Sequence, residues 1–307
     1  MAVFNMLDSK LETLLTVCEK GSFTKAAEAL SLTQPAVSHH ISLLEQELGV
    51  KIFFRRSKGP LKLTPEGEIV VKYAKRINGL YQRMLQKLDD ESRQITTLRV
   101  GITHTAESNI IAEVLAKYGN LNPGVSVIVV TDTINNLYNM LSDYELDLAI
   151  VEGRLQDPNI NALLLDTDYL VCVVSNNNPL ASKSMVTLND IKGEKLILRS
   201  SSSGTINLLA SHLESMNLSL ADFNVVLEVD NIATIKDLVR KDLGISVLAR
   251  SACMNEWRKG ELKILPIENL SMIRETNILY QKDFMHPEIL QELTKLYHET
   301  AVQYSHD

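Results

Sequence analysis

Between Gln34 and Gly49 the chain reads QPAVSHHISLLEQELG, a stretch that few folds admit. Val37, Ile41, Leu44 and Leu48 recur at helical spacing, which predicts a helix with those four on one inward face. Gln34, Ser38, His39 and Ser42 fall on or beside its other faces. Thr33 is placed to cap the helix, Pro35 suits its first turn and Gly49 supplies the stop. The outward face is short and polar at its N-terminal end, which suits approach to base edges and phosphates in a DNA major groove.

Such a helix needs a scaffold. Residues 7–19 predict an amphipathic helix with Leu7, Leu11, Leu14, Leu15 and Cys18 on its inner side, ended by Gly21. Ser22 then caps a second helix over 23–30, in which Ala26 and Ala27 are small enough to let another helix cross closely. Residues 31–33 turn into the third. This is the pattern of a helix-turn-helix, although three short helices also occur in folds that never touch DNA. The following KIFFRRSKGPLKL sets Arg55, Arg56, Lys58 and Lys62 around a Gly59-Pro60 turn between two extended pieces, a β-hairpin wing with a basic tip. A run of charge on any surface is often only solvated; directly after a helix-turn-helix, phosphate contact is the expectation.

The net charge of −7 argues against DNA binding until it is divided. Residues 1–95 hold 14 Lys and Arg against 11 Asp and Glu, a balance of +3, and the remainder holds 17 against 27, a balance of −10. The local field over a contact surface matters more than the total. No apolar run approaches the ~18 residues that span a bilayer, and the N-terminus has no basic start followed by an apolar core, so a cytoplasmic protein with no membrane partner is expected. Cys18, Cys172 and Cys253 lie far apart without a CxxC pair, and read as reduced thiols. His39 and His40 point about 100° apart on a helix, with no third ligand nearby, so no metal site is expected.

Thr64-Pro65-Glu66 begins a long helix running to about Glu91, with a capping hydroxyl, a proline at its first position and an acid near its positive end. Ile69, Tyr73, Ile77, Leu80, Met84 and Leu88 recur every three or four residues along roughly 42 Å of helix. So long an apolar stripe calls for a second helix, either from its own chain or from another copy. From Arg93 onward short apolar strands alternate with helices: LRVGIT, VSVIVVT and DLAIVEG, then LLLDTDYLVCVV, KLILRS, FNVVLEV and GISVLA, then RETNILY and a helix over 286–303. This spacing predicts α/β architecture with a largely parallel sheet.

In open α/β sheets a ligand lies beyond the carboxyl ends of strands, near helix N-termini. Two segments qualify. Thr103-His104-Thr105 follows the first strand, and the run from Ser200 through Ser202 and Ser203 to Thr205 follows KLILRS and opens a helix. Hydroxyls and backbone N–H groups without a strong cation suit a small anion, a carboxylate or an amino acid. Thr103, Thr105, Ser202 and Ser203 are therefore the leading ligand candidates, although either segment alone would read as ordinary helix capping. Thr131, Glu152 and Asn231, each just past a strand, are secondary candidates; Glu152 would repel an anion unless it bonds a ligand amine or faces away.

The segment from Leu11 to Gly67 resembles the DNA-binding region of the LysR-type transcriptional regulators. The match runs through Gly21-Ser22-Phe23, Ala26-Ala27, Leu30, Gln34-Pro35-Ala36-Val37-Ser38, Ile41, Leu44-Glu45, Leu48-Gly49, Phe54, Arg56, Leu63-Thr64 and Gly67. One departure lies in the wing, where the family often has a basic residue at the place of Gly59 and this chain carries Lys58 one position earlier. The resemblance implies that Gln34, Pro35, Ser38 and His39 face the groove and that Arg55, Arg56 and Lys62 meet the backbone or the minor groove. It implies a winged helix-turn-helix over 1–63, a dimerising linker helix over 64–92, and over 93–307 a two-lobed effector domain of periplasmic-binding-protein-like fold. Lobe I would hold about 93–166 plus 268–307 and lobe II about 167–267. The Thr103-His104-Thr105 run also resembles the sulphur-assimilation regulators of the family, whose two threonines belong to an anion site, although Ala106 stands where those have glutamine.

The partners so implied are a double-stranded DNA operator, a small-molecule effector, further copies of the chain as dimer or tetramer, and RNA polymerase. No cofactor is expected. Neither a GxSxG nucleophile elbow nor a phosphate-cradling GxxxxGK[ST] is present, which argues against an enzyme. The rival reading is a constitutive regulator or structural DNA-binding protein with no small-molecule effector.

Overall fold

The computed structural model describes residues 8–54, 60–153, 157–201, 203–270, 272–284 and 286–303, which form two compact units. In the first unit, α1 (Ser9–Lys20), α2 (Phe23–Ala29) and α3 (Gln34–Leu48) pack together. Their caps follow the chemistry of the sequence. Asp8, Ser22 and Thr33 accept backbone N–H groups at the three starts, and Gly21 and Gly49 take left-handed φ values of 62° and 67° at two of the ends. Leu14, Val17, Ala26, Ala27, Val37, Ile41 and Leu44 form the core. Leu48 does not join it. It shares their face but is 48% exposed, because it sits in the last turn of α3, past the side chains that cover the rest of that face.

The wing strands pair antiparallel at Phe53 and Leu63, and the Phe54 N–H donates to the Lys62 carbonyl at 3.0 Å. Helix α4 (Pro65–Arg93) follows. Thr64 ties its start to the wing: its hydroxyl accepts the Gly67 N–H at 2.9 Å, and its own N–H donates to the Ile52 carbonyl at 2.9 Å. All six residues of the predicted stripe are exposed, from Ile69 to Leu88. Among the described residues no helix is long and apolar enough to cross a membrane.

The second unit runs β1 (Thr96–Ile102), α5 (His104–Glu107), α6 (Ile111–Leu121), β2 (Val125–Thr131), α7 (Ile134–Ser142), β3 (Leu148–Glu152), β4 (Ile160–Ser175), α8 (Leu188–Lys192), β5 (Lys195–Leu198), α9 (Gly204–Ser215), β6 (Asn224–Glu228), α10 (Ile232–Arg240), β7 (Ser246–Ala249), α11 (Met254–Arg258), β8 (Leu262–Leu265), β9 (Ile273–Gln281) and α12 (Pro287–Gln303). Strands β2, β1 and β3 lie parallel in that order. So do β6, β5 and the lead-in to β7, where Leu196 bridges Ile245. Each trio is then closed by an antiparallel strand: β9 beside β3, and β4 beside β7.

The prediction of a largely parallel sheet therefore holds within each trio and fails for the sheet as a whole. The reason is β4, whose first ten residues pair antiparallel with β9 and whose last six pair with β7 and β8. A strand serving two lobes runs against both trios. Strand β8 and the short helices α8 and α11 had no distinct signal in the sequence.

Each lobe has its own core. The first, in lobe I, holds Leu98, Val100, Ile150, Leu165 and Ile278; the second, in lobe II, holds Leu170, Cys172, Ile197, Val247, Ile267 and Met272; a smaller cluster of Leu137, Leu141, Leu146 and Leu279 adds to lobe I. The chain thus passes between lobes after Leu165 and returns after Met272. The expected return at 268 is too early, since Met272 is still packed in the second core. Cys172 and Cys253 are buried and Cys18 half-buried; burial pushes the first two thiols up to about 12 and that of Cys18 to about 11, and all three are free.

Candidate functional site

On α3, Gln34, Pro35, His39 and Ser42 are exposed and Ser38 is half-buried. The Gln34 side-chain amide donates to the Ser38 hydroxyl at 2.8 Å, which organises two of the expected reading residues into one polar unit. The adjacent histidines part company: His39 faces outward, while His40 Nδ1 lies 2.8 Å from the Thr13 hydroxyl, bracing α3 on α1. Lys62 is exposed on the wing. Arg55 and Arg56 lie outside the described residues, as do Lys58 and Gly59.

In the second unit a cavity of about 340 Å³ opens at the carboxyl ends of the parallel strands of both lobes. Its lining is set by topology. Thr103 follows β1, Asp132 follows β2, Glu152 ends β3, Arg199 follows β5 and Asp230 lies beyond β6. Thr105, Ser203 and Thr205 complete it from α5 and the start of α9, and Arg274 from β9.

Most of these polar groups are already engaged. The Thr103 hydroxyl accepts the Ala106 N–H at 3.2 Å and donates to Glu152 Oε2 at 2.5 Å. Ser203 caps α9. Asp132 accepts the Thr133 N–H at 2.6 Å and the Asn136 amide at 2.8 Å, and Asp230 accepts the Ser200 hydroxyl. Three side chains keep open capacity: among the described residues, Arg199 Nε, Arg274 Nε and Nη2, and Glu152 Oε1 are buried without a hydrogen-bond partner. Arg274 Nη1 donates to Thr205 at 3.3 Å, and its Nη2 stands 3.7 Å from Asp168 Oδ2, whose first obligation is to the Ser251 hydroxyl at 2.7 Å. Burial lowers the Arg199 pKa and Arg274 adds repulsion, while Asp230 and Glu152 pull the other way.

The expectation of a site without a strong cation is thus corrected: two arginines line it. Neither was singled out from the sequence. Arg199 carried a signal, a cation placed directly between the apolar KLIL strand and the serine run. Arg274 carried none, because it reaches the cavity only through the pairing of β9 with β4. Two secondary candidates are also displaced. Thr131 and Asn231 do not line the cavity; their chain neighbours Asp132 and Asp230 do. Successive residues at a strand end face opposite ways, and the Asn231 side chain is turned to the Thr234 N–H at 2.9 Å as the cap of α10. Thr103, Thr105, Glu152 and Ser203 are brought together. Ser202 lies outside the described residues. Among the described residues no cluster of three or more His, Cys, Asp or Glu side chains could hold a metal ion.

Known proteins share both units. A family model described as "LysR substrate binding domain" matches residues 92–301, and one described as "Bacterial regulatory helix-turn-helix protein, lysR family" matches residues 9–68. An uncharacterized HTH-type transcriptional regulator of Methanocaldococcus jannaschii, MJ0300, is 30% identical over 269 residues, covering 87% of this chain and 90% of that one. The structure of full-length CbnR complexed with the target DNA complex is similar at a TM-score of 0.65 and 17% identity, over 95% of this chain and 98% of that one. The regulatory domain of CcmR from Synechocystis PCC6803 in complex with 2-PG is similar at a TM-score of 0.58 and 23% identity, over 66% of this chain and 97% of that one.

Proposed function

This chain belongs to the LysR family, and from that premise we propose a division of labour among its residues. It is a DNA-binding transcriptional regulator that carries an effector-binding domain. Segment 1–63 acts as reader, 64–92 as coupler and 93–307 as sensor. Gln34, Pro35, Ser38 and His39 read base edges, while Lys62, with Arg55 and Arg56, holds the phosphate backbone. The support is that the described members of both groups reach the surface of the head. The exposed stripe from Ile69 to Leu88 is the seam along which two copies pair.

The effector is a small molecule with two features: an oxyanion for Arg199 and Arg274, and an amine or hydroxyl donor for Glu152 Oε1. Amino acids and hydroxy acids have both, and an inorganic anion lacks the donor in its fully ionised form. The observation that carries this reading is the set of buried, unpartnered donor and acceptor atoms lining one cavity, since native proteins rarely leave such groups unsatisfied. A ligand that bonds residues of both lobes favours one lobe arrangement over another, and the coupler passes that bias to the spacing of the DNA-binding heads.

The test is thermal unfolding of the full chain against sulfate, phosphate, simple carboxylates, hydroxy acids and amino acids. A hydroxy or amino acid should give a saturable rise, removed by Arg274→Gln and weakened by Glu152→Gln. A response confined to inorganic anions would reject the donor half of the reading. A flat panel would turn the weight to the rival, a regulator that binds DNA without an effector.

A further inference from the structure

A second cavity, of about 300 Å³, shares no lining residue with the first. One wall comes from lobe I, with Ile110 at the start of α6, Asp166 on β4 and Tyr297 on α12; the other comes from lobe II, with Arg250, Met254 and Trp257 around α11. Its volume is at the lower end of the range for small-molecule sites. Its walls combine an apolar surface with concentrated positive charge, since Arg258 lies beside Arg250 in the same lining.

The single carboxylate of that lining is not a partner of Arg250. Asp166 is engaged elsewhere, accepting the Tyr297 hydroxyl at 2.7 Å on one oxygen and the Thr167 N–H at 2.7 Å on the other. Among the described residues the Arg250 guanidinium has no hydrogen-bond or carboxylate partner, and it lies over the Tyr169 ring, 5.8 Å from its centroid. A guanidinium held over a ring at this distance, with no hydrogen-bond partner, keeps its N–H groups free for a planar acceptor. Trp257, 41% exposed, offers a flat apolar surface to whatever that edge holds.

We propose that this cavity is a second binding site, for a small carboxylate with an apolar, flat body: the carboxylate on Arg250 and the body against Trp257, Met254 and Ile110. The site is independent of the effector reading of the first cavity. A carboxylate on an apolar body fits better than a phosphate because Ile110, Met254 and Trp257 give the cavity an apolar face, which offers a phosphate's remaining charged oxygens no partner.

Trp257 is the only tryptophan of the chain, so its fluorescence reports this cavity directly. The full-length protein is titrated with phenylacetate up to roughly ten millimolar, and in parallel with neutral phenylacetamide. The expected result is a saturable change with phenylacetate, at least ~tenfold weaker in Arg250→Gln and unchanged in Arg199→Gln, which alters the first cavity only. The amide should give no comparable response. Arg250→Lys, which keeps the charge and loses the fork, should fall between wild type and Arg250→Gln, and thermal midpoints of the variants establish that each is folded. Absence of a saturable change overturns the proposal. So does an equal response to the amide, or a response lost in Arg199→Gln and kept in Arg250→Gln.

Discussion

Replacing Arg199 by methionine distinguishes a cleft built for an anion from one whose charges are already satisfied, because the two differ in the sign of the stability change. Arg199 is 4% exposed, its Nε has no partner among the described residues, and burial lowers its pKa against the pull of Asp230 and Glu152. A buried donor left unsatisfied costs about 1–3 kcal/mol. Of the two carboxylates, Asp230 is exposed and bonded to Ser200, and Glu152 is held by Thr103, so neither depends on the arginine alone. Methionine is of similar length and has nothing to satisfy. In the ligand-free chain it should therefore stabilise the effector domain by about 1–3 kcal/mol, or a rise of about 2–12 °C in midpoint for a domain of this size. Any anion that raises the wild-type midpoint should lose most of that effect; at a hundred times its dissociation constant a ligand contributes about 2.7 kcal/mol. Scanning calorimetry of both proteins, with and without the anion, reads both quantities. A ligand-free loss of about 3 kcal/mol or more would refute the reasoning, since that is the signature of a broken, fully compensated ion pair.

Gly67→Ala should destabilise the head by about 1–3 kcal/mol or more in urea titrations, because the added Cβ would stand 2.0 Å from the Ile52 carbonyl oxygen, a backbone atom that cannot turn aside; an unchanged midpoint would contradict that close approach. Leu80→Asp, at a site 46% exposed, should convert the protein toward monomer in sedimentation with the fold intact, since each buried leucine contributes about 1.5–3 kcal/mol and two-fold symmetry counts it twice; an unaltered sedimentation coefficient would move the dimer seam elsewhere. At Glu45 burial works to raise the carboxyl pKa, but Lys51 and the N–H groups of Ile52 and Phe53 outweigh it and hold it below the ordinary 4.5. A folded-state pKa below the unfolded one means stability that is present above the unfolded value and lost as pH falls through the folded value. Head stability should thus decline below about pH 4.3, and Glu45→Gln should be less stable at neutral pH while losing less on acidification. Equal loss in both proteins would assign the acid sensitivity to other carboxylates.

The sequence alone determined whatever depends on neighbours within a turn or two. Ser22 and Thr33 cap, Gly21 and Gly49 stop, and Val37, Ile41 and Leu44 face inward because helical spacing and cap chemistry are local properties of the chain. The strands of each lobe other than β8 were legible for the same reason, and so was the position of the first cavity, since carboxyl ends of parallel strands are marked by the order of strand and helix. Thr103, Thr105 and Ser203 were found by that rule. Tertiary structure decided the rest. It sent β4 through both lobes and so made the sheet mixed, it left Leu48 uncovered, and it turned Asp132 and Asp230 into the cleft where Thr131 and Asn231 had been expected. Above all it brought Arg199 and Arg274 together across 75 positions of sequence. A hydroxyl that caps a helix is recognised from the residues beside it. A buried arginine that lacks an acceptor is recognised only when everything that could have paired with it has been placed, and that is a property of the whole fold.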